Sequence, residues 1–238
     1  MIRAVLLDID DTLLSFEGCV RQAMLEGFPL FGLPAYTEDM LPVFGQVSGG
    51  LWRQIELGQI TLPELEQVRW SRVFAALGFA GEDPRLGLRF EEYFRKQLYW
   101  SAIPMPGAEE LLAYLAPRYV LCAASNGPSG QQMNRLRVAG MLPSFDHVFI
   151  SEDVGAQKPS REFFDACFAR LRAADCPGLQ PAEVAIVGDS LTSDMAGGAA
   201  YGMHTCWYHP VTPGEPAAEA PAGVECAVAS LRDVERVL

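Results

Sequence analysis

Three carboxylates in four positions follow a short apolar run: Val5-Leu6-Leu7 leads straight into Asp8-Ile9-Asp10-Asp11-Thr12. Like charges crowded where water is scarce raise one another's pKa values, so such a cluster calls for a cation to neutralise it or a reaction to use it. With residues 5–8 extended, side chains alternate, which points Asp8 and Asp10 the same way and sends Ile9 into the packing. Two carboxylates side by side can divide labour, one as nucleophile and the other as proton shuttle. The competing reading is a solvated Asp-rich turn that caps a helix.

Further strand-like runs span Tyr119–Ala124, His147–Ser151, Val184–Gly188 and His204–Tyr208. Val184-Ala185-Ile186-Val187 is wholly apolar, as a parallel strand covered on both faces should be. Helical patterns alternate with these runs. Gly107–Ala116 aligns Leu111, Leu112 and Leu115, and Ser160–Arg172 aligns Phe163, Phe164, Cys167, Phe168 and Leu171. Strand–helix alternation predicts a Rossmann-like, doubly wound parallel sheet.

From about Ser15 to Trp100 the alternation stops, leaving helical patterns without a convincing strand. Thr61-Leu62-Pro63-Glu64 reads as a helix start with a capping box, and Leu65, Val68, Arg69 and Arg72 mark an amphipathic face. Pro104-Met105-Pro106-Gly107 returns the chain to the sheet. The expected organisation is an α/β core of residues 1–14 and 104–238, with an all-helical cap of residues 15–103 inserted after the first strand. The Pro/Ala/Glu-rich stretch Pro213–Gly223 reads as a surface loop, and Ser230 as the cap of a last short helix with Asp233 closing a capping box.

Ligands of a parallel sheet gather beyond the carboxyl ends of its strands. Those ends present Asp8-x-Asp10, Ser125-Asn126-Gly127, Lys158-Pro159 a little further on, and Gly188-Asp189-Ser190 with Asp194. Each group alone suits an ordinary turn or helix cap. Together they supply an acid pair, a hydroxyl, a cation and a second acid pair at one edge. Lys158 stands out because only it and Lys96 are lysines among the 18 basic residues, so a compact ammonium has been used where arginine is the habit.

Asp8 and Asp189, with the main-chain carbonyl of Asp10, make an all-oxygen set suited to Mg²⁺. Such an ion would let a phosphate dianion approach a carboxylate that otherwise repels it. Ser125, Asn126 and nearby backbone N–H groups can hold phosphate oxygens while Lys158 balances charge. Asp8 would then attack phosphorus, and Asp10 would protonate the leaving alkoxide and later deprotonate the attacking water. A small-molecule phosphate ester is the expected substrate.

The net charge of −12 argues against nucleic-acid polymers and anionic membranes as partners. No run of about 18 apolar residues predicts a membrane span. Met1 runs directly into the first strand without a signal-like segment, which points to the cytoplasm. Six scattered cysteines, with no C-x-x-C pair, read as reduced structural thiols. Three histidines leave little material for a zinc site or a serine triad.

The four groups in this order resemble the haloacid dehalogenase (HAD) superfamily, whose phosphatases carry D-x-D-x-T, a Ser/Thr, a Lys and G-D-x-x-x-x-D. The resemblance implies Asp8 as nucleophile, Asp10 as general acid/base, Ser125 and Lys158 as phosphate and charge ligands, Asp189 as a metal ligand, and Asp194 acting through water or orienting Lys158. Thr12 and Asp11 would shape the turn. Asp10 argues against a dehalogenase, since halide leaves without a proton, and a cap with only Lys96 suits phosphonate hydrolysis poorly.

Leu51-Trp52, Gly58-x-Ile60-Thr61 and Ile150-Ser151-Glu152-Asp153-Val154-Gly155 are similar to the bacterial pyrimidine 5′-nucleotidase branch, which implies nucleoside monophosphate substrates. Phe16, Phe44 and Trp52 would stack a base or, alternatively, pack the cap. A sugar-phosphate phosphatase, a phosphomutase and a phospho-accepting regulatory module remain as alternatives. The large cap and the placement of Asp8 after the first strand count against the last.

Overall fold

The computed structural model describes residues 1–79, 83–211 and 219–238. The chain divides into two compact units, one made of Met1–Ser15 with Ala102–Leu238 and the other of Phe16–Ser101.

The first unit is built on a six-stranded sheet with every neighbouring pair parallel: β1 (Ala4–Leu7), β2 (Val120–Ser125), β3 (His147–Ile150), β4 (Val184–Gly188), β5 (His204–Tyr208) and β6 (Cys226–Val228), in the order β3-β2-β1-β4-β5-β6. The central strands are buried on both faces, with all four residues of β1 at 0% exposure, which explains their uninterrupted apolar sequence. One face carries Val5, Leu7 and Val187 against Leu111, Leu112 and Leu115; the other carries Ala4, Leu6 and Ile186 against Phe163, Phe164 and Phe168.

The regular elements among the described residues of the second unit are all helices: α1 (Phe16–Leu30), α2 (Met40–Glu56), α3 (Leu62–Ala76) and α4 (Leu86–Trp100). Its core is aromatic, with Trp70 and Phe90 rings 4.4 Å apart and Phe28, Phe44, Phe74 and Phe94 around them. Thr61 caps α3 with the predicted reciprocal box to Glu64. The buried face of α3 is Leu65, Arg69, Trp70, Val73 and Phe74, whereas Arg72 is exposed. Arg69 turns inward because Glu91 meets it: the arginine Nε donates to Glu91 Oε2 at 3.1 Å, a second guanidinium nitrogen donates to Oε1, and each residue is 4% exposed.

The chain then returns to the first unit through α5 (Ala108–Leu115), α6 (Ser129–Val138), α7 (Ser151–Val154), α8 (Arg161–Ala174) and α9 (Ala196–Tyr201). Several boundaries differ from the sequence expectation. Ser125 is the last residue of β2, Ser151 opens α7 instead of ending β3, and β6 went unforeseen because three residues leave no readable alternation. The final helix, Leu231–Arg236, is a 3₁₀ helix; Ser230 accepts from Arg232 N–H, while the Asp233 carboxylate meets Arg236 instead of closing a box. Of the predicted loop at 213–223, residues 213–218 lie outside the described residues. No helix among the described residues is long and apolar enough to cross a membrane.

Candidate active site

Sheet register sets the site. Leu7 lies level with Ala123 and with Val187, so Asp8, Ser125 and Gly188 emerge at one edge. The Asp8 N–H still donates to the Val187 carbonyl at 2.9 Å, which fixes the backbone of the carboxylate just past the strand. The chain then turns sharply: Asp11 adopts φ +53°, a left-handed conformation that Asp tolerates, and Leu13 and Leu14 N–H both return to the Ile9 carbonyl. Thr12 is buried in this turn, with no partner for its hydroxyl among the described residues.

Lys158, 1% exposed, is the hub. Its ammonium donates to Asp8 Oδ1 at 2.6 Å, Asp194 Oδ1 at 2.7 Å and the Ala124 carbonyl at 2.6 Å. That uses all three of its protons, so Lys158 acts on a nearby anion through charge and not through a spare donor. Its backbone is clamped as well, because the Asn126 amide donates to the Lys158 carbonyl and accepts from the Lys158 N–H, each at 2.8 Å. Asn126, expected from the sequence to hold phosphate, thus also braces the Lys158 backbone, using one of its two amide protons to do so.

Asp189 follows β4, with its main-chain carbonyl held by the Trp207 indole N–H at 2.7 Å. Ser190 caps the next turn by accepting from Ser193 N–H, and its own N–H reaches Asp194 Oδ2 at 3.2 Å. Asp194 is thus occupied on both oxygens, by Lys158 and by Ser190. It fits there only because residue 188 is glycine, since a Cβ at Gly188 would lie 2.3 Å from Asp194 Oδ2.

Asp8, Asp189 and Asp194 offer oxygens within 4.8 Å of one another, against the single ammonium of Lys158. Burial pushes the Asp8 carboxyl up to about 7, with the Lys158 charge opposing and the Asp194 charge adding to the rise. Burial, then the charges of Asp8 and Asp194, raise Asp189 well above its ordinary value. For Lys158 burial acts downward, but Asp194 and Asp8 outweigh it and lift the ammonium above its usual range. A hard, all-oxygen, over-negative set of this kind fits a divalent cation such as Mg²⁺.

Asp10 meets different partners from Asp8. Its Oδ2 accepts from Gln132 Nε2 at 2.5 Å and its Oδ1 from Arg135. The two carboxylates part because β1 ends at Leu7 and the turn begins before Asp10. Gln132 and Arg135, both at 0% exposure on α6, escaped the sequence reading. The one available signal was their i, i+3 spacing in a helix directly after Ser125-Asn126-Gly127. Gln132 also donates to Ser125 Oγ at 3.0 Å, and Gly127 N–H does so at 3.1 Å.

In the helical unit, the half-buried Phe16 has its ring 6.2 Å from that of Phe44 and 6.0 Å from that of Phe94. Trp52 packs against Leu51, Ile55 and Leu65. Both aromatic side chains take part in the packing of the cap.

A parallel sheet that gathers paired carboxylates and one buried lysine at its carboxyl edge, interrupted after its first strand by a helical unit, defines a class of hydrolase. The chain belongs to the haloacid dehalogenase-like hydrolase family, which matches residues 2–202. It is similar to the HAD-hydrolase YfnB of Bacillus subtilis, at 34% identity over 87% of this chain and 84% of that one. A crystal structure of YfnB described as bound to magnesium superposes with a TM-score of 0.81, covering 100% of this chain and 98% of that one at 31% identity. It is also similar to the pyrimidine 5′-nucleotidase PynA of Streptococcus pneumoniae, at 34% identity over 87% and 83% of the two chains. The pyrimidine 5′-nucleotidase YjjG of Escherichia coli shares 28% identity over 98% and 96%.

Proposed function

We propose that this protein is a Mg²⁺-dependent phosphomonoester hydrolase that works through an aspartyl-phosphate, with pyrimidine nucleoside 5′-monophosphates as its substrate class. The observation that carries this reading is the Lys158 hub, which holds Asp8 and Asp194 beside Asp189. Two relatives named as pyrimidine 5′-nucleotidases support the choice of substrate. All six cysteines are free thiols, which suits a reducing cytoplasm.

Asp8 Oδ1 is fixed by Lys158, which leaves Oδ2 to attack phosphorus in line as the bond to the leaving oxygen breaks. Asp10 gives its proton to that oxygen, then takes one from the water that cleaves the aspartyl-phosphate and regenerates Asp8. The two lone pairs of Ser125 Oγ are filled by Gly127 N–H and Gln132, so its hydroxyl proton is directed to a phosphate oxygen. Backbone N–H groups of the Asn126 turn assist. Asp8, Asp189 and the Asp10 carbonyl would hold Mg²⁺, which supplies positive charge against the phosphate dianion. Asp194 keeps Lys158 in place. Phe16 and Trp52 are proposed to contact the nucleoside.

Phosphate release measured across pyrimidine and purine nucleotides and sugar phosphates, with and without Mg²⁺, tests this reading. Highest kcat/KM on a pyrimidine monophosphate, abolished by Asp8→Asn, is expected. Release from none of the panel contradicts the chemistry, and a preference for sugar phosphates contradicts the substrate class.

A further inference from the structure

Asp10 is gripped by two side chains, Gln132 and Arg135, to which the chemistry above gives no part in the proton transfer. Arg135 is wholly withdrawn from water, and a guanidinium so placed needs acceptors for its protons; the Asp10 carboxyl, with 31% of its side chain exposed, is one of them. Gln132 reaches Asp10 Oδ2 at 2.5 Å and Ser125 Oγ at 3.0 Å through the same nitrogen, while its Oε1 accepts from Arg135 at 3.2 Å. One amide therefore joins the hydroxyl directed at phosphate to the carboxyl that must reach the leaving oxygen.

Space for this amide is built into the backbone. A Cβ at Gly127 would lie 2.3 Å from Gln132 Nε2 and 2.9 Å from its Cδ, and Gly127 does not adopt a positive φ. A side chain at this position would therefore displace the Gln132 amide, whereas the turn itself does not call for glycine.

We propose that Gln132 and Arg135 are positioning residues for the proton shuttle, and that Gln132 sets Asp10 and Ser125 as a single unit. The inference rests on reading Asp10 as the general acid/base. Neither residue exchanges a proton: as the bond between phosphorus and the leaving oxygen breaks, the proton passes from Asp10 to that oxygen. An aspartate free to change rotamer spends part of its time out of reach, and a general acid out of hydrogen-bond reach contributes nothing. The clamp removes that loss before substrate arrives.

The experiment compares kcat/KM for p-nitrophenyl phosphate, whose phenolate leaves readily without a proton, with kcat/KM for an alkyl phosphate such as a nucleoside 5′-monophosphate. Variants are Gly127→Ala, Gln132→Leu, Arg135→Lys, Arg135→Met and Asp10→Asn, with circular dichroism and melting to confirm folding. Gly127→Ala and Gln132→Leu are expected to lower the alkyl value by about ten- to a hundredfold, a fraction of what a general acid supplies. The aryl value should fall much less, registering only the disturbance of Ser125. Arg135→Lys should recover part of the Arg135→Met loss.

Equal losses on both esters, or no loss on either, in the folded variants would overturn the proposal. Gly127→Ala and Arg135→Lys keep it exposed to that result if Arg135→Met does not fold. Asp10→Asn separates the two levels of inference. Selective loss on the alkyl ester in Asp10→Asn alone overturns only the positioning role, whereas equal loss on both esters in Asp10→Asn overturns the assignment of Asp10 itself.

Discussion

Lys158→Met keeps the length and bulk of the side chain and removes one charge. The ammonium it deletes is 1% exposed and bonded to Asp8, Asp194 and the Ala124 carbonyl, so two carboxylates and a carbonyl are left without it. Removing one partner of a buried ion pair costs about 3–5 kcal/mol. A chain of this size loses about 2–4 °C of melting temperature per kcal/mol, so the variant should melt roughly 6–20 °C below the parent at pH 8 without metal. The pH dependence has a definite sign. Burial already raises Asp8 to about 7 with Lys158 opposing it, and without Lys158 the carboxyl rises further. The penalty falls on the ionised form, so it is largest above the folded value and fades as pH drops toward 5. Urea unfolding followed by tryptophan fluorescence in EDTA, at pH 5 and pH 8, measures both quantities. Adding Asp194→Asn removes one stranded carboxylate and should return part of the stability. A variant as stable as the parent at pH 8, or equally destabilised at both pH values, would refute the reasoning.

The cation itself makes a related prediction. Burial holds Asp8 at about 7 and Asp189 well above its ordinary value in the metal-free protein. A carboxyl raised by folding contributes stability that is fully present below its unfolded value, near 4, and lost as pH climbs through the folded one. Metal-free protein should therefore weaken from pH 4 to 8, and Mg²⁺ should raise its melting temperature more at pH 8 than at pH 6; equal shifts in a thermal melt would contradict this. In the helical unit, Glu91→Leu strands the buried Arg69 guanidinium and should cost about 3–5 kcal/mol. Arg69→Met added to it should restore most of that in a denaturant titration, giving a large coupling in the double-mutant cycle.

Legibility of the sequence tracked how far each signal travels along the chain. Val184-Ala185-Ile186-Val187 announced a buried parallel strand because every residue of β4 has the same duty. Thr61 and Glu64 announced a helix start because a capping box is complete within four residues. Asp8, Lys158, Asp189 and Asp194 could be read because a parallel sheet delivers the residues after its strands to one edge. Partnership was not legible. Lys158 finds Asp8 at a separation of 150 positions, and nothing local says that its three protons are all engaged. Asn126 reads as an anion ligand because its amide is polar and sits in a turn, but nothing local says that the same amide also braces the Lys158 backbone. Beyond their spacing, Gln132 and Arg135 give no signal of their own in the sequence, since a buried polar residue is recognised only once its partner is in place. β6 failed for a simpler reason, being three residues long.

Trapping the covalent species tests the central claim most directly. The protein is mixed with a nucleoside monophosphate and Mg²⁺, quenched in acid within the first turnovers, digested and examined by mass spectrometry. The account predicts one phosphoryl group on the peptide bearing Asp8, removable by hydroxylamine, absent from Asp8→Asn, and accumulating in Asp10→Asn when p-nitrophenyl phosphate, whose leaving group needs no proton, replaces the nucleotide. Steady phosphate release with no modified Asp8 peptide in the parent or in Asp10→Asn, or a phosphoryl group on another residue, would contradict it.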